Sequence, residues 1–122
     1  MIKLKNVYDI PSKEDGERFL IERLWPVEVD VYLAKIDHWL KNIAPSYALL
    51  EWFHEHPKEW TLFKQDYLEE LKDVQKQALM KGLRDKCSVE DITLLYREAS
   101  AEKSAARIIY EWIENLKSGV RS

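Results

Sequence analysis

The chain has 122 residues, of which 46% are hydrophobic and 34% charged, a composition typical of a folded protein and not of a disordered segment. Nineteen basic and twenty-two acidic side chains give a net charge of −3, which disfavours a broad surface for nucleic acid or anionic membrane. The single cysteine, Cys87, excludes an intrachain disulfide framework and is typical of a reducing cytoplasm. No apolar stretch is long enough to span a bilayer, and no secretory leader is recognisable. We therefore predict one cytoplasmic domain over residues 1–122, without a linker.

The first part of the chain predicts two strands and a helix. Residues 2–9 alternate apolar and polar side chains and predict a first strand, which a turn at 10–16 follows. Residues 18–25 are apolar almost throughout, which predicts a central second strand closed by Pro26. A helix is predicted next, because apolar residues recur at intervals of three and four: Val29, Leu33, Ile36, Leu40 and Ile43.

The second part predicts three helices and a third strand. Ser46 can cap a short helix, residues 58–82 predict a long helix ending at Gly82, and residues 92–96 predict a strand. A last helix carries an apolar stripe of Ala105, Ile108, Ile109, Trp112, Ile113 and Leu116. The predicted fold is α/β, a small, mainly parallel three-stranded sheet flanked by about four helices. The long helical connection predicts that the second and third strands are parallel, whereas the direction of the first strand stays open.

Charged residues lie where the predicted strands end. Glu22 and Arg23 stand near the end of the second strand, and Arg97 directly follows the third. Burying an unpaired charge is costly, and ligands of open parallel sheets bind beyond the carboxyl ends of the strands. We therefore predict a ligand site there. Its candidate residues are Tyr8, Asp9, Glu22, Arg23, Trp25, Tyr96 and Arg97.

Arg23 is the expected anion clamp, because its guanidinium is a rigid donor fork suited to carboxylate or phosphate. Asp9 or Glu22 can orient it or act as a base, and Tyr8 and Trp25 can form walls. The alternative is an internal salt bridge of Arg23 with Asp9 or Glu98 that only completes the strand ends. The sequence indicates no metal and no cofactor, since it has no phosphate loop and the histidines of "HEH" lack further ligands at a suitable spacing.

Four segments, "LKNVYDIPSKEDGERFLIERLWP", "DHWLKNIAPS", "WFHEHPKEW" and "ITLLYREAS", resemble the YeaO-like family of small bacterial and archaeal proteins, domain of unknown function 488. The resemblance covers residues 2 to about 113 and indicates a divergent member. It implies an arginine-rich anion pocket, for phosphate, sulfate or a nucleotide. The retained family residues are Tyr8, Asp9, Asp15, Gly16, Arg18, Arg23, Trp25, Trp39, Lys41, Ser46, Trp52 and Tyr67.

The departures from the family pattern remove positive charge. Members usually carry Arg where Asn6, Leu50 and Asp66 stand here, and Arg-Gly where this chain has Val27 and Glu28. Two interpretations stay open: the ligand is different and less anionic, or the chain has kept the fold and lost an activity.

The sequence thus predicts a small-molecule or anion-binding protein and leaves open whether its site is a degenerate or altered enzyme site. Its catalytic residues and substrate are not assigned. A protein-interaction module or homodimer is the first alternative, because five Trp and six Tyr are many for this length. A nucleic-acid-linked regulator is the alternative that the net charge disfavours most.

Overall fold

A computed structural model describes residues 1–117, with side chains through Asn115. The strands are β1 (Ile2–Asn6), β2 (Glu17–Leu20), β3 (His38–Trp39) and β4 (Ile92–Tyr96). The helices are α1 (Tyr47–Glu55), α2 (Trp60–Glu70), α3 (Val74–Val89) and α4 (Ala105–Lys117). Short 3₁₀ turns lie at Lys13–Asp15, Lys41–Ile43 and Ala101–Lys103.

The strands form one sheet in the order β1-β4-β2-β3, and every neighbouring pair is parallel. The pairing with β4 aligns Ile2 of β1 and Glu17 of β2 with Ile92. The α/β prediction and the parallel second and third predicted strands are confirmed, and the first strand, whose direction was open, is parallel as well. The prediction of three strands was wrong, since the two-residue β3 adds a fourth; so short a strand leaves no alternation to recognise.

Apolar side chains cover both faces of the sheet. The helices cover one face, where Leu94 of β4 packs with Ile109 and Ile113 of α4 in the main core. The other face carries a smaller cluster of Val7, Leu20, Ile36 and Leu95, beneath the segment that joins β2 to β3. Because neighbouring residues of a strand point to opposite faces, Leu94 and Leu95 contribute to different clusters. Two cavities that are described below lie on different sides of this sheet.

The helix predicted over Val29–Ile43 was wrong. Glu28 and Lys35 have positive φ values of 62° and 49°, which interrupt helical backbone. The Asp30 carboxylate instead accepts hydrogen bonds from the amide N–H groups of Tyr32 and Leu33, at 2.8 and 3.1 Å, and these bonds stabilise a turn. The predicted stripe divides between both faces of the sheet, because Ile36 belongs to the small cluster and Ile43 to the main core.

The helix predicted over 58–82 is two helices. The first ends at Glu70, and Asp73 begins the second, because its side chain accepts hydrogen bonds from the N–H groups of Gln75 and Lys76, both at 3.1 Å. The predicted end at Gly82 was also wrong, since α3 continues to Val89. In residues 1–117, no helix combines the length and the hydrophobicity that a membrane crossing requires.

The first two strands are shorter than predicted. The amide of Asp9 donates to the carbonyl of Asn6 at 3.0 Å, so that a turn follows β1. β2 ends at Leu20, and the chain then leaves the sheet, carrying Glu22 and Arg23 beyond its edge. The third predicted strand coincides with β4.

Candidate functional site

A cavity of about 480 Å³ opens at the carboxyl ends of β2 and β4. Its polar side is formed by residues that follow these strands, together with Lys103 near the start of α4. Its apolar side comes from α1 and α2. The aromatic and aliphatic wall residues are Tyr47, Leu50, Phe53, Trp60 and Phe63.

Arg23 lies in the wall of this cavity and is held by backbone oxygens. Its Nε donates to the carbonyl of Pro45 at 3.1 Å, and its Nη2 donates to the carbonyl of Ala44 at 2.7 Å. The guanidinium carbon lies 5.8 Å from the centre of the Tyr47 ring. Among the described residues no carboxylate forms an ion pair with Arg23, so the internal salt bridge with Asp9 or Glu98 is absent. Two neutral carbonyls thus orient the cation without neutralising it.

A second polar feature of the cavity is a pair of carboxyl groups, Glu22 and Glu98. The Glu22 side chain is only 11% exposed, and its Oε1 accepts a bond of 3.1 Å from Nε of Arg97, which is 57% exposed. Burial and the neighbouring charge of Glu98 raise the pKa of Glu22 to about 8, against the weaker opposing effect of Arg97. Glu98 Oε2 is buried and accepts no bond from a donor of the described residues. A proton on Glu22, which its raised pKa retains at neutral pH, can supply that donor.

The structure brings three of the seven predicted residues together in the cavity, namely Glu22, Arg23 and Arg97. The other four lie outside its lining. Tyr8 is exposed and its hydroxyl donates to the carbonyl of Val27 at 3.4 Å. Trp25 donates to the carbonyl of Val29 at 2.9 Å and packs on the small cluster of the other face. It leaves the cavity because the chain no longer alternates as a strand beyond Leu20.

Asp9 and Tyr96 lie close to one another at the end of β1 and β4. Tyr96 is half-buried against the main core, and burial together with the charges of Asp9 and Glu98 raises the pKa of its phenol. Asp9 is exposed and follows the turn after β1. The charge of Glu98 acts on Tyr96, but neither Asp9 nor Tyr96 lines the cavity.

Sequence reasoning missed the apolar wall of the cavity. Phe53 and Phe63 have ring centres 4.5 Å apart, and Trp60 stacks on Phe63 at 5.3 Å. The high aromatic content was the available signal, but it does not tell which rings reach the strand ends. Glu98 was recognisable because it follows Arg97 in the sequence.

The cavity combines a cation oriented by two carbonyls, a carboxyl pair and an apolar wall. These groups are capable of hydrogen bonding, charge pairing and proton exchange. Within the described residues, no group of three His, Cys, Asp or Glu side chains is placed to hold a metal ion.

Comparison with known proteins places this arrangement in a family. Residues 1–119 match the family model described as "Inactive DUF488-N3 subclade". The chain is 32% identical over 115 residues to the uncharacterized protein YeaO of Escherichia coli K12, covering 94% of this chain and 98% of that protein. It is 32% identical over 92 residues to the uncharacterized protein Rv3073c of Mycobacterium tuberculosis H37Rv, covering 75% and 78%. No solved structure matches significantly. The chain therefore belongs to the YeaO-like DUF488 family and matches its inactive N3 subclade.

Proposed function

We propose that the protein binds a small carboxylate with a flat apolar body in the cavity at the ends of β2 and β4. The observation that carries this proposal is the state of Arg23, a partly buried cation in the cavity wall with two carbonyl partners and, among the described residues, no acid partner. Carbonyl partners fix the plane of the guanidinium and leave its charge for a ligand. Charge-assisted bonds from a preoriented Arg are among the stronger polar contacts in proteins.

The apolar body is inferred from the opposite wall. The rings of Phe53 and Trp60, which pack on the buried ring of Phe63, offer an apolar surface, and the cavity volume of about 480 Å³ suits a small organic molecule. Leu50 belongs to this wall at a position where the family resemblance leads one to expect Arg. The exchange of a cation for an aliphatic side chain favours a ligand with less negative charge, hence a carboxylate over a phosphate.

Binding without turnover is favoured by the family comparison, because the matching subclade is described as inactive. The raised pKa of Glu22 keeps this carboxyl protonated near pH 7, which limits repulsion of an anionic ligand. The cations Arg97 and Lys103 at the rim add attraction.

The test is a titration of the ¹⁵N-labelled protein with benzoate, with phenyl phosphate and benzylamine as comparison probes. Benzoate should shift the amide signals around residues 22–24, 44–47 and 97–98 saturably. Arg23→Gln should weaken this binding about 10- to 100-fold, the usual value of a charged hydrogen bond. Arg84→Gln is the control, because Arg84 pairs with Asp85 on α3 and lies outside the cavity lining.

Arg23 also holds the loop at 44–45, so the unfolding free energy of each variant is measured alongside binding. Arg23→Lys keeps the positive charge and should retain part of the affinity. Equal benzoate affinity in Arg23→Gln and the unmodified protein, or a preference for benzylamine, would contradict the proposal.

Self-association is a second candidate function, favoured by an exposed apolar segment between β2 and β3. Its side chains Leu24, Val27, Val31, Tyr32 and Leu33 are 58%, 78%, 40%, 86% and 80% exposed. The occupant of this surface would be a second copy of the chain. Glu28 and Asp30 lie in the middle of the segment and Lys35 lies at its end. If two copies pair antiparallel about a two-fold axis, the acidic residues of one copy face the lysine of the other.

Sedimentation velocity at increasing protein concentration tests this candidate. A dimer should form and should be weakened by Leu33→Ser, whereas Val89→Ser, an equally exposed apolar residue on α3, should have no effect. A monomer at every concentration would exclude it.

A further inference from the structure

A second groove, of about 450 Å³, lies on the sheet face that the helices do not cover. It runs between the 3₁₀ turn at Lys13–Asp15 and the segment 31–37, and Arg18 of β2 contributes to its lining from below. We call it the Arg18 groove. It shares no lining residue with the cavity at Arg23.

Arg18 is a buried cation with an incomplete set of partners. Its side chain is 2% exposed; Nη1 donates to Asp15 Oδ2 at 2.6 Å and Nε donates to the carbonyl of Ala34 at 3.0 Å. Nη2 is buried and has no hydrogen-bond partner among the described residues. Leaving a charged donor unpaired inside a protein is expensive, so a partner for Nη2 is expected from outside the described chain.

The surroundings of Arg18 carry excess positive charge. Asp15 has two cationic partners, because its Oδ2 also lies 3.0 Å from Nζ of Lys5. One carboxylate thus faces two cations. The rim adds the exposed Lys13 and Lys35, whereas Asp37, the acid of the lining, accepts the backbone N–H of Arg18 at 2.8 Å and offsets one of these positive charges.

We propose that the Arg18 groove is an anion site that binds a phosphate group. Nη2 of Arg18 lies buried beneath the floor, so that a phosphate oxygen accepts its bond once the rim side chains turn aside, and the ammonium groups of Lys13 and Lys35 approach from the rim. The rim side chains are long and exposed, so they can turn aside to admit the anion while the backbone stays in place. Tyr32, 86% exposed in the same lining, supplies a surface for an organic group attached to the phosphate.

The test is a titration of the ¹⁵N-labelled protein with inorganic phosphate at constant ionic strength, maintained with sodium chloride. Amide signals of residues 12–18 and 31–37 should shift and saturate. The double variant Lys13→Gln/Lys35→Gln should weaken binding about three- to tenfold, as expected for two exposed cations. Lys81→Gln, an exposed lysine on α3, is the matched control and should leave the affinity unchanged.

The rim variant separates binding from folding, because both of its lysines are exposed whereas Arg18 is buried. A parallel titration with phenyl phosphate distinguishes the source of the phosphate: tighter binding than inorganic phosphate at these signals supports an organic phosphomonoester, and equal binding supports the free ion. Shifts that do not saturate, or an affinity that the rim variant and Lys81→Gln lower equally, would overturn the site. Shifts confined to residues 22–24 and 97–98 would report the other cavity and would also overturn it.

Discussion

Replacing Glu22 by Gln should stabilise the protein at alkaline pH and have little effect at acidic pH. The folded protein holds the pKa of Glu22 at about 8, raised from 4.5 chiefly by burial and then by the charge of Glu98. Below pH 4.5 the carboxyl is protonated in both the folded and the unfolded chain, so its contribution to stability is fully present. As pH rises toward 8 the unfolded chain releases the proton while the folded chain retains it, and this contribution is progressively lost.

The magnitude follows from the two pKa values. They differ by about 3.5 pH units, and each unit corresponds to about 1.4 kcal/mol, so that Glu22 costs the native state about 5 kcal/mol by pH 9. At pH 7 about 2.5 of these units have been crossed, which corresponds to about 3 kcal/mol. Gln keeps the shape and a donor for Glu98 but cannot ionise. The difference in unfolding free energy between the variant and the unmodified protein should therefore grow by a few kcal/mol, in favour of the variant, from pH 5 to pH 9.

The assay is urea denaturation of both proteins at unit intervals from pH 5 to pH 9, with the difference in unfolding free energy plotted against pH. Contributions of other titrating groups largely cancel in this difference. The matched control is Glu51→Gln, which removes an exposed carboxylate from the lining of the same cavity. A difference curve for Glu22→Gln that stays flat over this range, or one that the control reproduces, would refute the role assigned to burial.

Three further stability predictions use urea denaturation at one pH. Gly16→Ala should lower the free energy of unfolding by about 3 kcal/mol or more, because Gly16 has a φ of 63° and an added Cβ would lie 1.9 Å from a backbone carbonyl oxygen. Gly82→Ala should instead raise it by about 0.5–1 kcal/mol, because an added Cβ inside α3 meets nothing within 4 Å. Asp73→Ala should cost about 1 kcal/mol by removing the cap of α3, and Asp73→Asn should restore most of it. Tyr67→Phe should cost about 1–3 kcal/mol, because the buried hydroxyl donates to a backbone carbonyl at 2.5 Å that would lose its partner. An unchanged urea midpoint of unfolding in any of these variants would contradict the contact concerned.

The parts of the fold that the sequence predicted are those in which the spacing of the apolar residues matches the positions that are buried. The strand at 92–96 is a continuous apolar run, and in α4 the buried positions Ile109 and Ile113 recur at a helical interval on one side. The segment from 29 to 43 failed for the opposite reason. Its apolar residues were spaced like those of a helix, yet Ile36 and Ile43 pack on opposite faces of the sheet. Periodicity reports burial and does not tell which of two cores receives each residue.

The part of the candidate site that lies at the strand ends was predictable from the sequence. Arg23 and Arg97 follow strands, and the carboxyl ends of parallel strands meet at one edge, so their proximity could be inferred without coordinates. The position of the opposite wall depends on how α1 and α2 pack. The break at Asp73 that separates α2 from α3 was hidden inside a continuous helical pattern. The aromatic wall could therefore not be assigned from the sequence.

The two arginines show that the net charge of this chain does not set the local charge around a side chain. The protein carries a net charge of −3, yet among the described residues Arg23 forms hydrogen bonds to two neutral carbonyls and no ion pair, and Arg18 shares the carboxylate of Asp15 with Lys5. Charges separated by more than about 10 Å are largely screened at ordinary salt. The local field at each guanidinium is therefore set mainly by groups within a few ångströms. Because those groups leave positive charge in both places, the two anion sites that we propose, one beside an aromatic wall and one between lysines, are compatible with an overall acidic protein.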